Sequence, residues 1–127
     1  MRFAQIGIQL LIVSSYFFNI MNYDDQGTKI TITGFEAIIT NEYFIFGNIF
    51  LAIVLLSSLY HLITQVIALF NKPLYDKLDQ SLTIAVNIQL FIGLFVVTFI
   101  GLYLEMLGLA MVGLVVLGAF IKYKFKL

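Results

Sequence analysis

Residues 44–70 read FIFGNIFLAIVLLSSLYHLITQVIALF, with no Asp, Glu, Lys or Arg and with His61 as the one basic side chain among them. At a rise of 1.5 Å per residue, about 20 apolar residues cross the hydrocarbon of a bilayer, so the segment is long enough to span one. Its polar residues are grouped rather than scattered. Ser57, Ser58, His61, Thr64 and Gln65 recur at spacings of three and four, which puts them on one helical face near one end. Phe46, Ile49, Phe50, Ile53, Val54 and Leu56 make the other face, suited to lipid or packed neighbours. A helix with such a stripe needs polar partners, and the remainder of the chain is apolar enough to supply them from further membrane helices.

Of the 127 residues, 61% are hydrophobic and 11% charged, with a mean hydropathy of +1.03. A soluble domain carries about 25% charged residues, so composition argues against a water-soluble fold. The length fits one domain. Seven basic and seven acidic residues cancel, leaving no overall field to attract nucleic acid. The absence of cysteine excludes a disulfide framework, a thiolate metal site and a thiol relay.

N-terminal to the deciding stretch, Met1–Asn22 has a single charge, Arg2, and an apolar run too long for a signal peptide, with no small-x-small cleavage site. It is expected to be a retained first helix, with Gln5, Gln9, Ser15, Asn19 and Asn22 as a second polar stripe. Between the two helices lies the main polar segment. Asp24-Asp25-Gln26-Gly27 is turn chemistry. Thr28–Thr33 alternates as a short strand does, and Gly34 ends it. Phe35–Thr40 suits a returning strand or an interfacial helix. An isolated hairpin is marginal in water, so Ile30, Ile32, Phe35 and Ile38 need a surface to rest on: helix ends, headgroups or another subunit.

C-terminal to the deciding stretch, Asn71-Lys72-Pro73 ends the helix, because proline disfavours helical geometry in the residue before it. Leu74–Gln80 is expected to be an amphipathic surface connector, with Asp79 or Ser81 capping the next helix. Leu82–Ile121 contains one charge, Glu105, and as a single helix would be about 60 Å long, twice the hydrocarbon thickness. It must fold back near Gly101–Gly108. Small residues at Gly93, Gly101, Gly108, Ala110, Gly113 and Gly118 offer surfaces for close helix approach.

The sequence therefore predicts an all-α membrane protein. It is expected to be a four-transmembrane-helix bundle, with helices at about 3–22, 44–70, 82–101 and 105–121 in a single integral domain, 1–127. A short extracellular β-like element in the outer loop, 23–43, separates helices 1 and 2; 71–80 is a cytoplasmic connector and 122–127 a cytoplasmic tail. Four spans place Arg2, Lys72, Lys77, Lys122, Lys124 and Lys126 on one side and only Lys29 on the other. That bias puts both termini in the cytoplasm. Tyr23, Tyr43 and Tyr103 then mark the outer boundary, Tyr75 and Tyr123 the inner one.

Measured inward from the helix ends, Gln9 and Asn87 lie about 9 Å deep, Gln65 about 8 Å and His61 about 13 Å. Gln9, His61, Gln65 and Asn87 are thus the candidate intramembrane polar cluster, since hydrocarbon offers them no partner. A neutral imidazole bridging two helices is the plain reading of His61; proton or solute handling is the functional one. Ile30, Ile32, Phe35 and Glu36 are the candidate partner-binding outer element. Asp76 and Asp79 sit beside Lys72 and Lys77 as a charged connector, with lipid chemistry through the two carboxylates as the weakest alternative. No catalytic, metal or cofactor motif is readable. The expected function is a non-enzymatic accessory, assembly or immunity-type subunit of a bacterial inner membrane, in contact with lipid and with another membrane protein or a second copy. The alternative is a small homo-oligomeric transporter or channel with a polar path near His61.

Overall fold

The computed structural model describes residues 2–39 and 47–125. In chain order these form α1 (Arg2–Ser15), β1 (Asn19–Asp25), β2 (Thr28–Thr33), α2 (Gly34–Ile39), α3 (Gly47–Phe70), α4 (Lys72–Ile100) and α5 (Met106–Phe125). A single 3-10 turn, Gly101–Tyr103, joins the last two helices. The expected start of the second helix at Phe44, together with Glu42, Tyr43 and Lys126, lies outside the described residues.

Three helices, α3, α4 and α5, are long and apolar enough to cross a membrane. Among the described residues, the fourth expected span does not reach that length. α1 has 14 residues, about 21 Å, short of a hydrocarbon core of about 30 Å. It stops at Ser15 rather than Asn22 because the chain tightens there: the amides of Tyr16, Phe17 and Phe18 donate to the carbonyls three residues back. Asn19 and Asn22, expected on a helical stripe, are strand residues instead. Four helices still form a closed ring, with α1 against α3 and α5, and α4 against the same two.

The hairpin is β1 paired antiparallel with β2, so its partner strand lies before the turn rather than after Gly34. Gln26 and Gly27 both have positive φ, 53° and 85°, the geometry of a two-residue hairpin turn whose twist matches the strands. Gly34–Ile39 forms α2. Thr33 caps it, accepting from the Glu36 amide at 3.2 Å while its hydroxyl donates to the Glu36 carboxylate.

The hairpin rests on its own chain. Ile20, Met21 and Ile32 are buried in one core with Ile12, Tyr16, Leu51, Leu104 and Met111. Ile30, Phe35 and Ile38 pack against the same core, which answers their expected need for a surface. Gly34 sits directly on the Tyr16 ring and 2.9 Å from Tyr16 Cα, measured from where a Cβ would stand. Only glycine allows that approach. The Tyr16 hydroxyl donates to the Leu51 carbonyl at 2.6 Å, tying the end of α1 to α3. The α4–α5 tip joins the hairpin through the Glu105 amide, which donates to Ile20 O at 2.8 Å, and through an ion pair between Lys29 and Glu105 at 3.0 Å.

At the opposite end, 71–80 is not a separate connector. Asn71 alone separates α3 from α4, and its side chain caps α4 by accepting from the Leu74 amide, in place of the expected Asp79 or Ser81. Pro73 sits in the first turn of α4, where its missing N–H costs nothing and its fixed φ suits the helix. The expected tail is helical as far as Phe125, the last described residue, where α5 ends.

Candidate functional site

Polar side chains enter the bundle in two groups. The first is a closed seam across α3, α1 and α5. The Ser58 hydroxyl donates to Gln9 Oε1 at 2.7 Å, Gln9 Nε2 to Gln5 Oε1 at 3.1 Å, and Gln5 Nε2 to the Gly118 carbonyl at 2.8 Å. Gln5 and Gln9 are one helical turn apart, so their amides meet side by side on the inward face of α1. A Cβ on residue 118 would lie 2.9 Å from Gln9 Nε2 and 3.1 Å from Gln5 Oε1, so Gly118 lets α5 close over the two amides. Gln89 adds a similar tie, donating to Val54 O at 3.2 Å from α4 to α3.

The second group lies at the basic end, where α1 begins, α3 ends, α4 begins and α5 ends. Arg2 Nη1 donates to Gln65 Oε1 at 2.9 Å, and its guanidinium stacks 4.7 Å from the centre of the Tyr75 ring. One turn along α4 from Tyr75, Asp79 pairs with Lys122 at 3.4 Å. The Lys122 side chain is 5% exposed, whereas that of Asp79 is 54% exposed, so the acid meets the ammonium from the solvent side. His61 lies one turn deeper than Gln65 on the same face of α3 and is fully buried, within electrostatic range of Lys122. Among the described residues, both His61 nitrogens, Gln65 Nε2 and the Tyr75 hydroxyl are buried without a hydrogen-bond partner.

Of the expected polar cluster, the structure buries Gln9, His61 and Gln65 and divides them between these groups. Asn87 is a correction. It is exposed on α4, bonded to the Tyr123 hydroxyl at the surface. The buried amide of α4 is Gln89, two positions on, which the turn of the helix carries to the inner face. Of the outer element, Ile32 is buried and Ile30 and Phe35 half-buried against the chain's own core; Glu36 is exposed and engaged in capping α2.

Arg2, Tyr75 and Lys122 had been read from the sequence only as charge bias and boundary aromatics. Their signal was positional: each lies within one turn of a helix end at the same end of the bundle. No family model, curated protein or solved structure matches this chain.

Proposed function

We propose that this chain is a multi-pass membrane protein whose basic end, where α1 begins and α5 ends, faces the cytoplasm, α1 and the hairpin together taking the place of a fourth span, and that it acts as a non-enzymatic accessory, assembly or immunity-type subunit that docks on another membrane protein. The observation that carries this reading is the outward face of α4. Its candidate span is the least buried of the three, 28% against 39% for α3 and 44% for α5. That face carries an aromatic shelf. Phe91, Leu94, Phe95 and Thr98 line a notch of about 150 Å³, and Phe95 stacks on Phe50 of α3. Rigid aromatic side chains on one face are what well-packed interfaces use as anchors.

The test is a photo-crosslinking residue at Phe91, with one at Phe3 on the exposed side of α1 as control, followed by purification in mild detergent and mass determination. The expected result is an adduct of defined mass with one other protein from position 91 and none from position 3. Lipid adducts alone at both positions would remove the reading.

A second reading, a homo-oligomeric transporter or channel, is favoured by the unpartnered His61, Gln65 and Tyr75 groups. It expects self-adducts from position 91 and solute flux in liposomes that His61→Leu abolishes.

A further inference from the structure

A groove lies between α4 and α5, walled by Leu90 on one side and by Val116, Ala119, Phe120, Tyr123 and Lys124 on the other. It encloses about 460 Å³, within the range of small-ligand sites. The α5 residues recur at spacings of three and four, so they share one face of that helix. Ala119, the smallest of them, is buried with Tyr75, Leu82 and Val86 of α4 and makes the floor. The Tyr123 hydroxyl donates to Asn87 of α4 and ties the two walls together.

The groove is apolar along its length and charged at one end. Val116 to Lys124 is eight residues of helix, about 12 Å, close to the hydrocarbon depth of one leaflet, half of about 30 Å. Lys124 stands one residue from the end of α5. Its ammonium lies 5.5 Å from the centre of the Phe120 ring and 5.8 Å from that of Phe125, which holds it at the mouth of the groove. The acids of this end of the bundle do not line the groove. Asp79 and Asp76 precede Leu90 by 11 and 14 residues, about 16 and 21 Å along α4. Among the described residues, no carboxylate is paired with Lys124.

This polarity selects the occupant. A neutral apolar solute fits the trough and leaves the ammonium unanswered. A zwitterionic lipid brings a cation of its own to the same end. A lipid with a negative headgroup matches both parts, as basic recesses between membrane helices do for such lipids.

We propose that the α4–α5 groove holds one anionic phospholipid, with an acyl chain along Val116 and Ala119 and the phosphate at Lys124. The inference rests on the reading of α3, α4 and α5 as membrane spans, and not on what docks against the Phe91 face of α4. One lysine at the membrane surface favours an anionic over a zwitterionic lipid by about fivefold.

The experiment uses the full chain in a neutral detergent with equal amounts of phosphatidylglycerol and phosphatidylcholine. The mass of the intact complex counts the lipids that stay bound. The expected result is one retained phosphatidylglycerol, favoured about fivefold. Lys124→Gln is expected to bring the ratio to about one with lipid still retained, since the trough is intact. Val116→Phe fills the trough from its exposed wall, away from the core, and is expected to lower retention of both lipids severalfold. Lys72→Gln, exposed at the start of α4 and outside the groove, is expected to change neither.

Equal retention of the two lipids by the unaltered chain would overturn the proposal. So would a preference that Lys124→Gln keeps in full or that Lys72→Gln also removes. A dimer that Val116→Phe dissolves would overturn it by giving the groove to a second copy. All these results leave the membrane reading standing. A chain that stays in solution without detergent and retains no lipid would overturn both.

Discussion

The two ends of the bundle handle the same problem in opposite ways. At the hairpin end, the polar groups described above find partners within the chain: the Tyr16 hydroxyl on Leu51, the Glu105 amide on Ile20, Lys29 on Glu105, Thr33 with Glu36. At the basic end, four buried polar atoms of His61, Gln65 and Tyr75 are unmatched among the described residues, beside two cations. An interior polar group with its partner in place ties the fold together. One without a partner adds nothing to stability by itself and reads as function. The contrast therefore assigns fold to one end and binding to the other, and substitutions at each should differ in size and in sign.

The largest effect is expected at the hairpin. Ile32, 7% exposed, belongs to the core that joins β2 to α1, α3 and α5. Ile32→Ser is expected to cost about 3 kcal/mol, from a lost apolar side chain and a hydroxyl with no partner. The check is the unfolding midpoint in a denaturing-detergent titration. A loss well under 1 kcal/mol would mean that the hairpin is not part of the fold, and the comparison would fail at its stronger end.

Next in size is Tyr16→Phe, which keeps the ring against Phe35 and Gly34 and removes only the bond to Leu51 O. It is expected to cost about 1 kcal/mol in the same titration. Ser58→Ala, which opens the seam at Gln9, is expected to cost about 0.6 kcal/mol, the average for a hydrogen bond between membrane helices. An Ile32 effect without a Tyr16 effect would put the stability of the hairpin end in its apolar contacts alone.

How much of this was legible in the sequence also divides by end. Three apolar helices, a fold-back within Gly101–Gly108 and a turn within Asp24–Gly27 were readable, because each is a local pattern of hydropathy or turn residues, though Asp24 and Asp25 are the end of β1. The end of α1 was not. Ile20 and Met21 are as apolar as any helix residue, and their strand conformation comes from pairing on either side of a bulge at Ile20, Asn19 with Thr33 and Met21 with Ile32, and from the bridge of Met21 to Leu104 far along the chain. Local propensity loses to such tertiary contacts. Of the polar side chains, His61, Gln65 and Gln9 stood out by helical spacing. Asn87 was misread because depth was reckoned without rotation about the helix axis, which sends Asn87 outward and Gln89 inward. Tyr75 and Lys122 carried no local sign of burial, since tyrosine and lysine at helix ends ordinarily sit at the water boundary.

The smallest expected effect is the sharpest test of the contrast. His61 is fully buried in α3, with neither ring nitrogen bonded to a described residue, while its carbonyl accepts from Thr64 at 2.8 Å. If its ring serves the fold, His61→Leu removes a tie and destabilises the protein by an amount like that of Ser58→Ala. If the ring waits for something to bind, the fold loses nothing when it goes, because an unpartnered polar group is replaced by an apolar one of similar volume. Such exchanges are close to neutral or stabilising. The expectation is therefore a change of about zero or a small gain in the denaturing-detergent titration, opposite in direction to Tyr16→Phe. A clear loss of stability would place His61 with the matched residues of the other end. The difference between the two ends would then rest on Gln65 and Tyr75 alone.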